Sequence, residues 1–299
     1  MFTQFPIDYI EPLFRPPSEA GSLILQVTNG CSWNRCSYCE MYTDAQKQFR
    51  PAKEAEVLDE IRRCAEAGLQ PRRIFLADGD ALVLSMRRLR NILTEIAKAL
   101  PSVSRVSSYC LPSNLKNKSD DDLAELRALG LQLIYVGAES GDDRLLAMVD
   151  KGESHASTVE ALLRAKQAGI KTSVMILNGL GGKAFSRQHA LESARLVNQA
   201  QPDYLATLVL TFHRGPERFV AGFDGKFEAM NSPELCEEIG EFLAASKLER
   251  TIFRSDHVSN HMVLKGVLGR DKTAMLNQVQ AAIAHFRENP VSQPANSVY

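Results

Sequence analysis

The chain lacks the features that mark secreted, membrane-spanning or nucleic-acid-binding proteins. Its first residues, MFTQFPIDYIEPLF, show no basic segment followed by an apolar one, so we expect a reducing, cytoplasmic environment without disulfides. No apolar run approaches the about 20 residues that a spanning helix needs. A formal net charge of -1 over 299 residues indicates no preference for nucleic acid or membrane. An ordinary soluble protein is expected.

Cysteine is scarce, and half of it lies in one place. The chain has six cysteines, and Cys31, Cys36 and Cys39 fall within NGCSWNRCSYCEMY. The others are isolated along the sequence: Cys64, Cys110 and Cys236. Without disulfides, the three clustered thiols are candidate ligands of zinc or of an iron–sulfur cluster. A closed zinc site needs a fourth ligand of suitable spacing, and none is evident, so the triplet suggests an open coordination position.

An amphipathic helix, a glycine and a short apolar strand recur three times along the chain. The segments are EAEVLDEIRRCAEAGLQPRRIFLAD, SDDDLAELRALGLQLIYVGAES and STVEALLRAKQAGIKTSVMIL, with Gly68, Gly130 and Gly169 after the helices. A glycine in this position adopts the left-handed conformation that turns the chain back towards a strand. Strands that are apolar throughout indicate a parallel sheet with helices on both faces.

Three further strand-like segments, SLILQVT, SRVSSYC and DYLATLVL, bring the total to about six strand–helix units. We therefore predict an α/β fold with a partial (β/α)6-type TIM barrel over residues 22–212, after an N-terminal extension of residues 1–21. Residues 213–288 do not repeat the unit, so we expect a mostly helical extension that closes the barrel. Residues 289–299 are expected to form a flexible tail.

The cysteine triplet directly follows the first predicted strand, where barrels carry their active-site loops. The sequence resembles the radical S-adenosylmethionine (SAM) superfamily, whose signature has three clustered cysteines at this place, usually with an aromatic residue before the last. CSWNRCSYC matches with Tyr38 as the aromatic residue, although four residues rather than the commoner three separate Cys31 from Cys36. The resemblance implies a [4Fe–4S] cluster on Cys31, Cys36 and Cys39. It also implies that SAM chelates the free iron and is cleaved reductively to a 5′-deoxyadenosyl radical, which abstracts hydrogen from a substrate.

By the same resemblance, FLADGD after the second strand takes the place of the glycine-rich segment near the SAM amino group. It contributes Asp78, Gly79 and Asp80. Glycine lets backbone approach a ligand closely, and a carboxylate accepts hydrogen bonds from an ammonium group. An acidic turn without a ligand is the alternative interpretation.

Two later segments extend the resemblance. YVGAESGDDRLLAMVDKG is similar to the group with oxygen-independent coproporphyrinogen oxidases and methylthiotransferases, which implies that Glu139 faces the SAM ribose and Lys151 the SAM carboxylate. Lys151 could instead complement a helix dipole. MILNGLGG resembles the segment beside adenine, where Leu177 and Tyr38 are candidate contacts. A glycine-rich loop without a ligand is the alternative there.

The segment FRSDHVSNHMVLKG is dense in polar groups that could contact a substrate. The candidates are Arg254, Asp256, His257, Asn260 and His261, together with His213 after the sixth strand. Two histidines four residues apart could bind zinc, but no third ligand is evident. Substrate contact is therefore expected, with a hydrogen-bonded structural corner as the alternative.

The resemblance implies an oxygen-sensitive enzyme that receives electrons from a low-potential donor, a flavodoxin or ferredoxin. Coproporphyrinogen decarboxylation is one candidate reaction, whereas the extra cysteines of methylthiotransferases are missing. Other classes stay open: a non-catalytic iron–sulfur carrier or sensor, and a structural zinc protein. A metal-free lyase with a Schiff base on Lys151 or Lys171 is a further alternative.

Overall fold

Strands and helices alternate along most of the computed structural model, which describes residues 5–289. The strands are β1 (Leu23–Gln26), β2 (Thr28–Asn29), β3 (Arg50–Pro51), β4 (Arg73–Ala77), β5 (Arg105–Tyr109), β6 (Leu131–Glu139), β7 (Lys171–Asn178), β8 (Tyr204–Val209), β9 (Ile252–Ser255) and β10 (Leu264–Val267). The α-helices are α1 (Glu54–Glu66), α2 (Met86–Ala99), α3 (Pro112–Lys116), α4 (Asp120–Ala128), α5 (Asp143–Met148), α6 (His155–Gln167), α7 (Gly182–Ala200), α8 (Glu217–Ala221), α9 (Ser232–Ala245) and α10 (Leu268–Glu288). No helix within residues 5–289 is long and apolar enough to cross a membrane. Residues 290–299 of the predicted tail lie outside the described residues.

The main sheet has eight strands in the order β1-β4-β5-β6-β7-β8-β9-β10. The neighbours β1–β4, β4–β5, β5–β6, β7–β8 and β8–β9 are parallel, whereas β10 runs antiparallel to β9. The short strands β2 and β3 form a separate antiparallel pair. This mostly parallel α/β architecture confirms the predicted fold class, and the strand order is that of an open sheet rather than a closed barrel.

The three repeated segments form as predicted. Gly68, Gly130 and Gly169 have φ angles of 72°, 105° and 76°, and each follows a helix and precedes a strand. At the start of α4, Ser119 Oγ accepts from the Asp122 backbone N–H at 3.0 Å and the Asp122 carboxylate accepts from the Ser119 N–H at 2.8 Å. Local capping and glycine conformation therefore define these helix ends.

Burial of residues 74–77 of β4 explains why this part of the strand is apolar without alternation. Ile74, Phe75 and Leu76 are all fully buried, although successive side chains point to opposite faces of the sheet. Each such side chain contributes about 1.5–3 kcal/mol when it leaves water. Both faces of this strand are consequently covered, as the parallel-sheet prediction required.

The described residues divide into two compact units, which we describe separately. The first contains residues 5–34, 41–136 and 163–172, and the second contains residues 35–40, 137–162 and 173–289. In the first unit, the N-terminal extension lies along β1. Tyr9 donates its hydroxyl proton to the Ile24 carbonyl at 2.9 Å, and the Ile10 N–H donates to Gln26 Oε1 at 2.9 Å. The extension therefore covers hydrogen-bonding groups at the first strand of the sheet order.

The C-terminal part of the second unit contains α8, α9 and α10, together with two strands that sequence analysis did not identify. β9 extends the parallel series, with Tyr204 of β8 opposite Ile252. β10 returns beside β9, with Leu264 opposite Ser255. The polar segment FRSDHVSNHMVLKG is thus a β-hairpin rather than a linker between helices.

Candidate functional site

The cysteine loop, residues 30–40, carries the thiols that are available to a ligand. Cys31, Cys36 and Cys39 form no disulfide and are partly exposed. The remaining cysteines form no disulfide either and are buried: Cys64, Cys110 and Cys236. Cys31 belongs to the first unit, and Cys36 and Cys39 belong to the second. The surroundings of Cys31 therefore belong to the first unit, and those of Cys36 and Cys39 belong to the second.

In the first unit, Asp80 anchors the start of the cysteine loop. Its Oδ1 accepts from the Ser32 backbone N–H at 2.8 Å, and its Oδ2 accepts from the Ser32 hydroxyl at 2.5 Å and from Asn114 Nδ2 at 3.0 Å. The Cys31 thiol also hydrogen-bonds to Asp80. Burial raises the pKa of Asp80, and these hydrogen bonds oppose the rise. Asp80 is thus joined directly to the first cysteine and its neighbour.

Asp78 makes a buried ion pair with Lys47, a residue that sequence analysis did not single out. Lys47 Nζ lies 2.6 Å from Asp78 Oδ2, and both side chains are fully buried. The same oxygen accepts from the Gly30 N–H at 3.2 Å. Burial raises the pKa of Asp78 in spite of the lysine. Asp78 Oδ1 is buried without a hydrogen-bond partner among residues 5–289.

Gly79 lies between the two aspartates and touches the cysteine loop. Its N–H donates to the Gly30 carbonyl at 3.0 Å. A Cβ atom at this position would lie only 2.7 Å from Cα and Cβ of Cys31. Glycine is therefore required here by close backbone approach rather than by an unusual φ angle.

In the second unit, Glu139, Lys151 and Tyr38 form a buried polar group. Lys151 Nζ lies 3.3 Å from Glu139 Oε1 and donates to the Tyr38 hydroxyl at 3.1 Å. Glu139 is the last residue of β6 and has a φ of 64°, which turns the backbone out of the strand. Its Oε2 is buried without a partner in the described part of the chain. Three of the residues that sequence analysis connected with SAM are therefore joined through Lys151.

Cys36 shares this environment. Burial raises the pKa of its thiol, whereas the nearby Lys151 ammonium and a hydrogen bond with Tyr38 act in the opposite direction. Burial also raises the pKa of the Tyr38 hydroxyl well above its usual value, with the Glu139 carboxylate adding to the effect. Tyr38 therefore stays protonated and can act as a hydrogen-bond donor.

Leu177, at the end of β7, lies in an apolar cluster against which the Tyr38 ring packs. The cluster also contains buried residues of α5, α8 and the loops around them: Leu145, Val149, Leu180, Leu210, Phe219 and Phe223. Sequence analysis assigned Leu177 and Tyr38 to the same adenine, and the structure places them on one apolar surface.

The glycine-rich loop after β7 is held by a buried network that sequence analysis did not find. Glu238 Oε1 accepts from the Gly179 N–H at 2.6 Å and lies 3.9 Å from His189 Nε2. The other ring nitrogen of His189 is 2.8 Å from the Ser140 hydroxyl. Glu238 is 59 residues from Gly179 in sequence, so no local pattern reveals this contact.

Most of the residues predicted to contact substrate have partners within the second unit. Asn260 accepts from the Val209 N–H at 2.9 Å and donates to the Thr207 carbonyl at 2.8 Å. Asp256 pairs with Lys265 at 2.8 Å. The other contacts are those of His257 with Ser259 at 2.8 Å, of the His261 ring with Phe286 at 6.1 Å between centroids, and of the His213 N–H with Glu40 at 2.8 Å. Arg254 lies exposed on β9. Asn260 therefore attaches the hairpin to β8, and the substrate role of this group stays a prediction.

The donor set fits an iron–sulfur cluster with an open position. Among residues 5–289, no three His, Cys, Asp or Glu side chains are grouped closely enough to hold a single metal ion. In a four-iron cluster each thiolate binds a different iron, so the ligands need not converge on one point. Three soft thiols without an accompanying imidazole suit such a cluster. In the second unit, Glu139 Oε2, which has no partner among the described residues, is compatible with a polar ligand.

Two curated proteins are similar in sequence to about half of the chain. The hopanoid C-3 methylase of Methylococcus capsulatus is 25% identical over 157 residues, which cover 51% of this chain and 28% of that protein. The heme chaperone HemW of Bacillus subtilis is 22% identical over 166 residues, covering 53% of this chain and 43% of HemW. The chain thus spans less than half the length of these curated relatives.

Among solved structures, coproporphyrinogen III oxidase (HemN) from Escherichia coli, a radical SAM enzyme, matches with a TM-score of 0.56 and 16% identity. The match covers 75% of this chain and 51% of HemN. At this identity, the likeness shows the fold alone. The family model described as the radical SAM superfamily matches residues 25–197, more than half of the chain. The resemblance carried by CSWNRCSYC is thereby confirmed, and the chain belongs to the radical SAM superfamily.

Proposed function

We propose that this chain is an enzyme that binds a [4Fe–4S] cluster through Cys31, Cys36 and Cys39 and uses it to cleave SAM. The observation that carries the proposal is a triplet of partly exposed cysteines, not engaged in disulfides, inside the segment matched by the superfamily. When bound, a reduced cluster supplies the electron that splits SAM into methionine and a 5′-deoxyadenosyl radical.

The first unit positions the beginning of the cysteine loop. Asp80 fixes Ser32 and the Cys31 thiol, and the Lys47–Asp78 pair fixes the Gly30 N–H. Because these partners are buried, the loop has little freedom to move Cys31 away. Gly79 allows this close packing, so its role is to admit the loop backbone.

The second unit provides the polar groups proposed to bind SAM. Glu139 Oε2 has no partner in the described residues and is an acceptor for a ribose hydroxyl. Lys151 carries a positive charge beside Glu139 and Tyr38 and is the proposed partner of the SAM carboxylate. Leu177 and the Tyr38 ring offer the apolar surface for adenine. The electron donor is proposed to be a flavodoxin or ferredoxin.

An anaerobic assay tests this function. The chain is reconstituted with iron and sulfide, reduced with dithionite and given SAM, and 5′-deoxyadenosine is measured. We expect product from the wild type and none from the Cys31→Ala/Cys36→Ala/Cys39→Ala variant. Cys64→Ala, which removes a buried thiol outside the loop, is the control that should retain about four irons per chain.

The outcomes separate the competing classes. A wild-type chain that binds about four irons but never cleaves SAM would be an electron carrier or sensor. A chain that binds only zinc through the triplet would be a structural zinc protein. Release of 5′-deoxyadenosine that persists in the triple variant would contradict the assigned ligands.

A further inference from the structure

Arg218, on the short helix α8, makes an unusual set of contacts with the cysteine loop. Its Nη2 donates to the Cys36 carbonyl at 2.8 Å and also to the Cys39 carbonyl, and its Nε donates to the Ser37 carbonyl at 3.2 Å. All of these residues belong to the second unit. One guanidinium group therefore joins the peptide units of both cysteines in this half of the loop.

Other hydrogen bonds hold the same segment, residues 35–40, at Ser37 and at Glu40. The Glu40 carboxylate accepts from the backbone N–H groups of His213 and Arg214 at 2.8 and 3.0 Å. The Ser37 N–H donates to the Val149 carbonyl at 2.9 Å. Residues 35–40 contain no helix or strand, so their backbone conformation depends on such long-range hydrogen bonds.

We infer that Arg218 is a positioning residue that keeps Cys36 and Cys39 in the conformation required for cluster ligation. This inference rests on the proposed function only for the identity of the ligand. The planar guanidinium has five donors in a fixed arrangement, and one group can therefore fix several carbonyls relative to one another. A lysine at the same place keeps the charge but presents a single nitrogen.

Geometry rather than charge is the expected basis of this role. Arg218 is exposed, and solvent weakens the purely electrostatic effect of an exposed charge. Arg218→Lys and Arg218→Gln should therefore both loosen the segment. Arg187→Gln removes an equally positive, 79% exposed side chain from α7 and is the matched control.

The first experiment measures thiol alkylation in the full-length chain without cluster, with peptide mapping of each cysteine. We expect Cys36 and Cys39 to react about tenfold faster in both Arg218 variants. This factor corresponds to a decrease of about 1.4 kcal/mol in the free energy needed to open the loop. The buried Cys64 and Cys236 should react at the wild-type rate, because they report on opening of the whole fold. Equal acceleration at all cysteines would mean general destabilisation and would overturn the inference.

The second experiment measures loss of iron to a chelator after anaerobic reconstitution. Both Arg218 variants should lose iron about tenfold faster than wild type, whereas Arg187→Gln should not. Wild-type rates of alkylation and iron loss in the Arg218 variants would refute the positioning role. A wild-type chain that binds no iron would instead refute the proposed function, and the alkylation result would still decide the role of Arg218.

Discussion

Glu238 links α9 to the glycine-rich loop after β7, and its buried carboxyl group makes a quantitative prediction. Its Oε1 accepts from the Gly179 N–H at 2.6 Å and lies 3.9 Å from His189 Nε2. Burial raises the pKa of Glu238 from 4.5 to about 7 and lowers the pKa of His189 from 6.5 to about 4. Both groups are therefore neutral in the folded chain near pH 5.5. Glu238→Gln keeps an acceptor for Gly179 but cannot release a proton.

The size and sign of the effect follow from proton linkage. The folded chain keeps the Glu238 proton between pH 4.5 and 7, where the unfolded chain releases it, so stability falls as pH rises through this window. The shift from 4.5 to about 7 corresponds to about 3 kcal/mol. His189 acts oppositely, because below pH 6.5 the unfolded chain binds a proton that the folded chain excludes. Between about pH 4.5 and 6.5, the opposite pH dependences that Glu238 and His189 give to the free energy of unfolding cancel in the wild type.

Urea unfolding between pH 4 and 8 provides the assay. The stability of Glu238→Gln relative to wild type should increase by about 3 kcal/mol from pH 4 to pH 8. Glu237→Gln, which removes a partly exposed carboxylate from the same helix, should show no comparable change. A constant difference between Glu238→Gln and wild type would refute the protonated state of Glu238. A decrease of about 3–5 kcal/mol in the free energy of unfolding of Glu238→Gln at pH 5 would also refute the protonated state, because it would indicate a buried ion pair with His189.

Two substitutions in the first unit test the anchoring of the cysteine loop. Gly79→Ala should abolish iron binding after reconstitution, because its Cβ would lie 2.7 Å from Cα of Cys31. Gly21→Ala, whose Cβ would meet only the flexible end of a side chain at 3.2 Å, should bind iron normally. Equal iron contents in the two variants would contradict the argument. Lys47→Met should lower the free energy of unfolding by about 3–5 kcal/mol, because it leaves the Asp78 carboxylate buried without its partner. Urea unfolding of Lys47→Met/Asp78→Asn should show a smaller loss, and an equal or larger loss would mean that the unpaired charge is not the cause.

The fold was predictable where local sequence determines local structure. Gly68, Gly130 and Gly169 each have the positive φ that the helix–glycine–strand pattern required. Residues 74–77 of β4, which are buried, likewise have the uninterrupted apolar sequence of a strand covered on both faces. Each of these signals is contained in a single segment of about 25 residues, so it could be recognised without knowledge of distant contacts.

The strands β9 and β10 were missed because their evidence is not local. Each has only four residues, and β9 alternates buried Phe253 and Ser255 with exposed Ile252 and Arg254. Such a short alternating segment is a weak signal until its neighbour is known. Pairing with β8 is what makes β9 a strand, and β8 lies more than 40 residues earlier.

The site residues likewise divide into those that local sequence predicts and those that depend on distant contacts. The cysteine spacing and the glycine-rich segments pointed to the superfamily, since both are contiguous in sequence. The partners that hold these segments, Lys47, Arg218 and Glu238, were not predictable, because each acts on backbone or a carboxylate far away in sequence. A single lysine, arginine or glutamate has no sequence pattern that distinguishes a buried anchor from a solvated charge.

Asp80 and Glu139, two of the carboxylates that sequence analysis grouped as SAM contacts, differ in the hydrogen-bond acceptors that they have left for a ligand. Asp80 already accepts hydrogen bonds at both oxygens, from Ser32 and Asn114, so its contribution is to hold the Cys31 end of the loop. Glu139 keeps a buried oxygen without a partner in the described residues, and leaving such an acceptor unpaired costs about 1–3 kcal/mol. A ligand hydroxyl at Glu139 would remove that cost, whereas a ligand at Asp80 would have to displace existing bonds. Glu139 is therefore the stronger candidate for direct SAM contact, and Asp80 acts through the loop that carries the first cysteine.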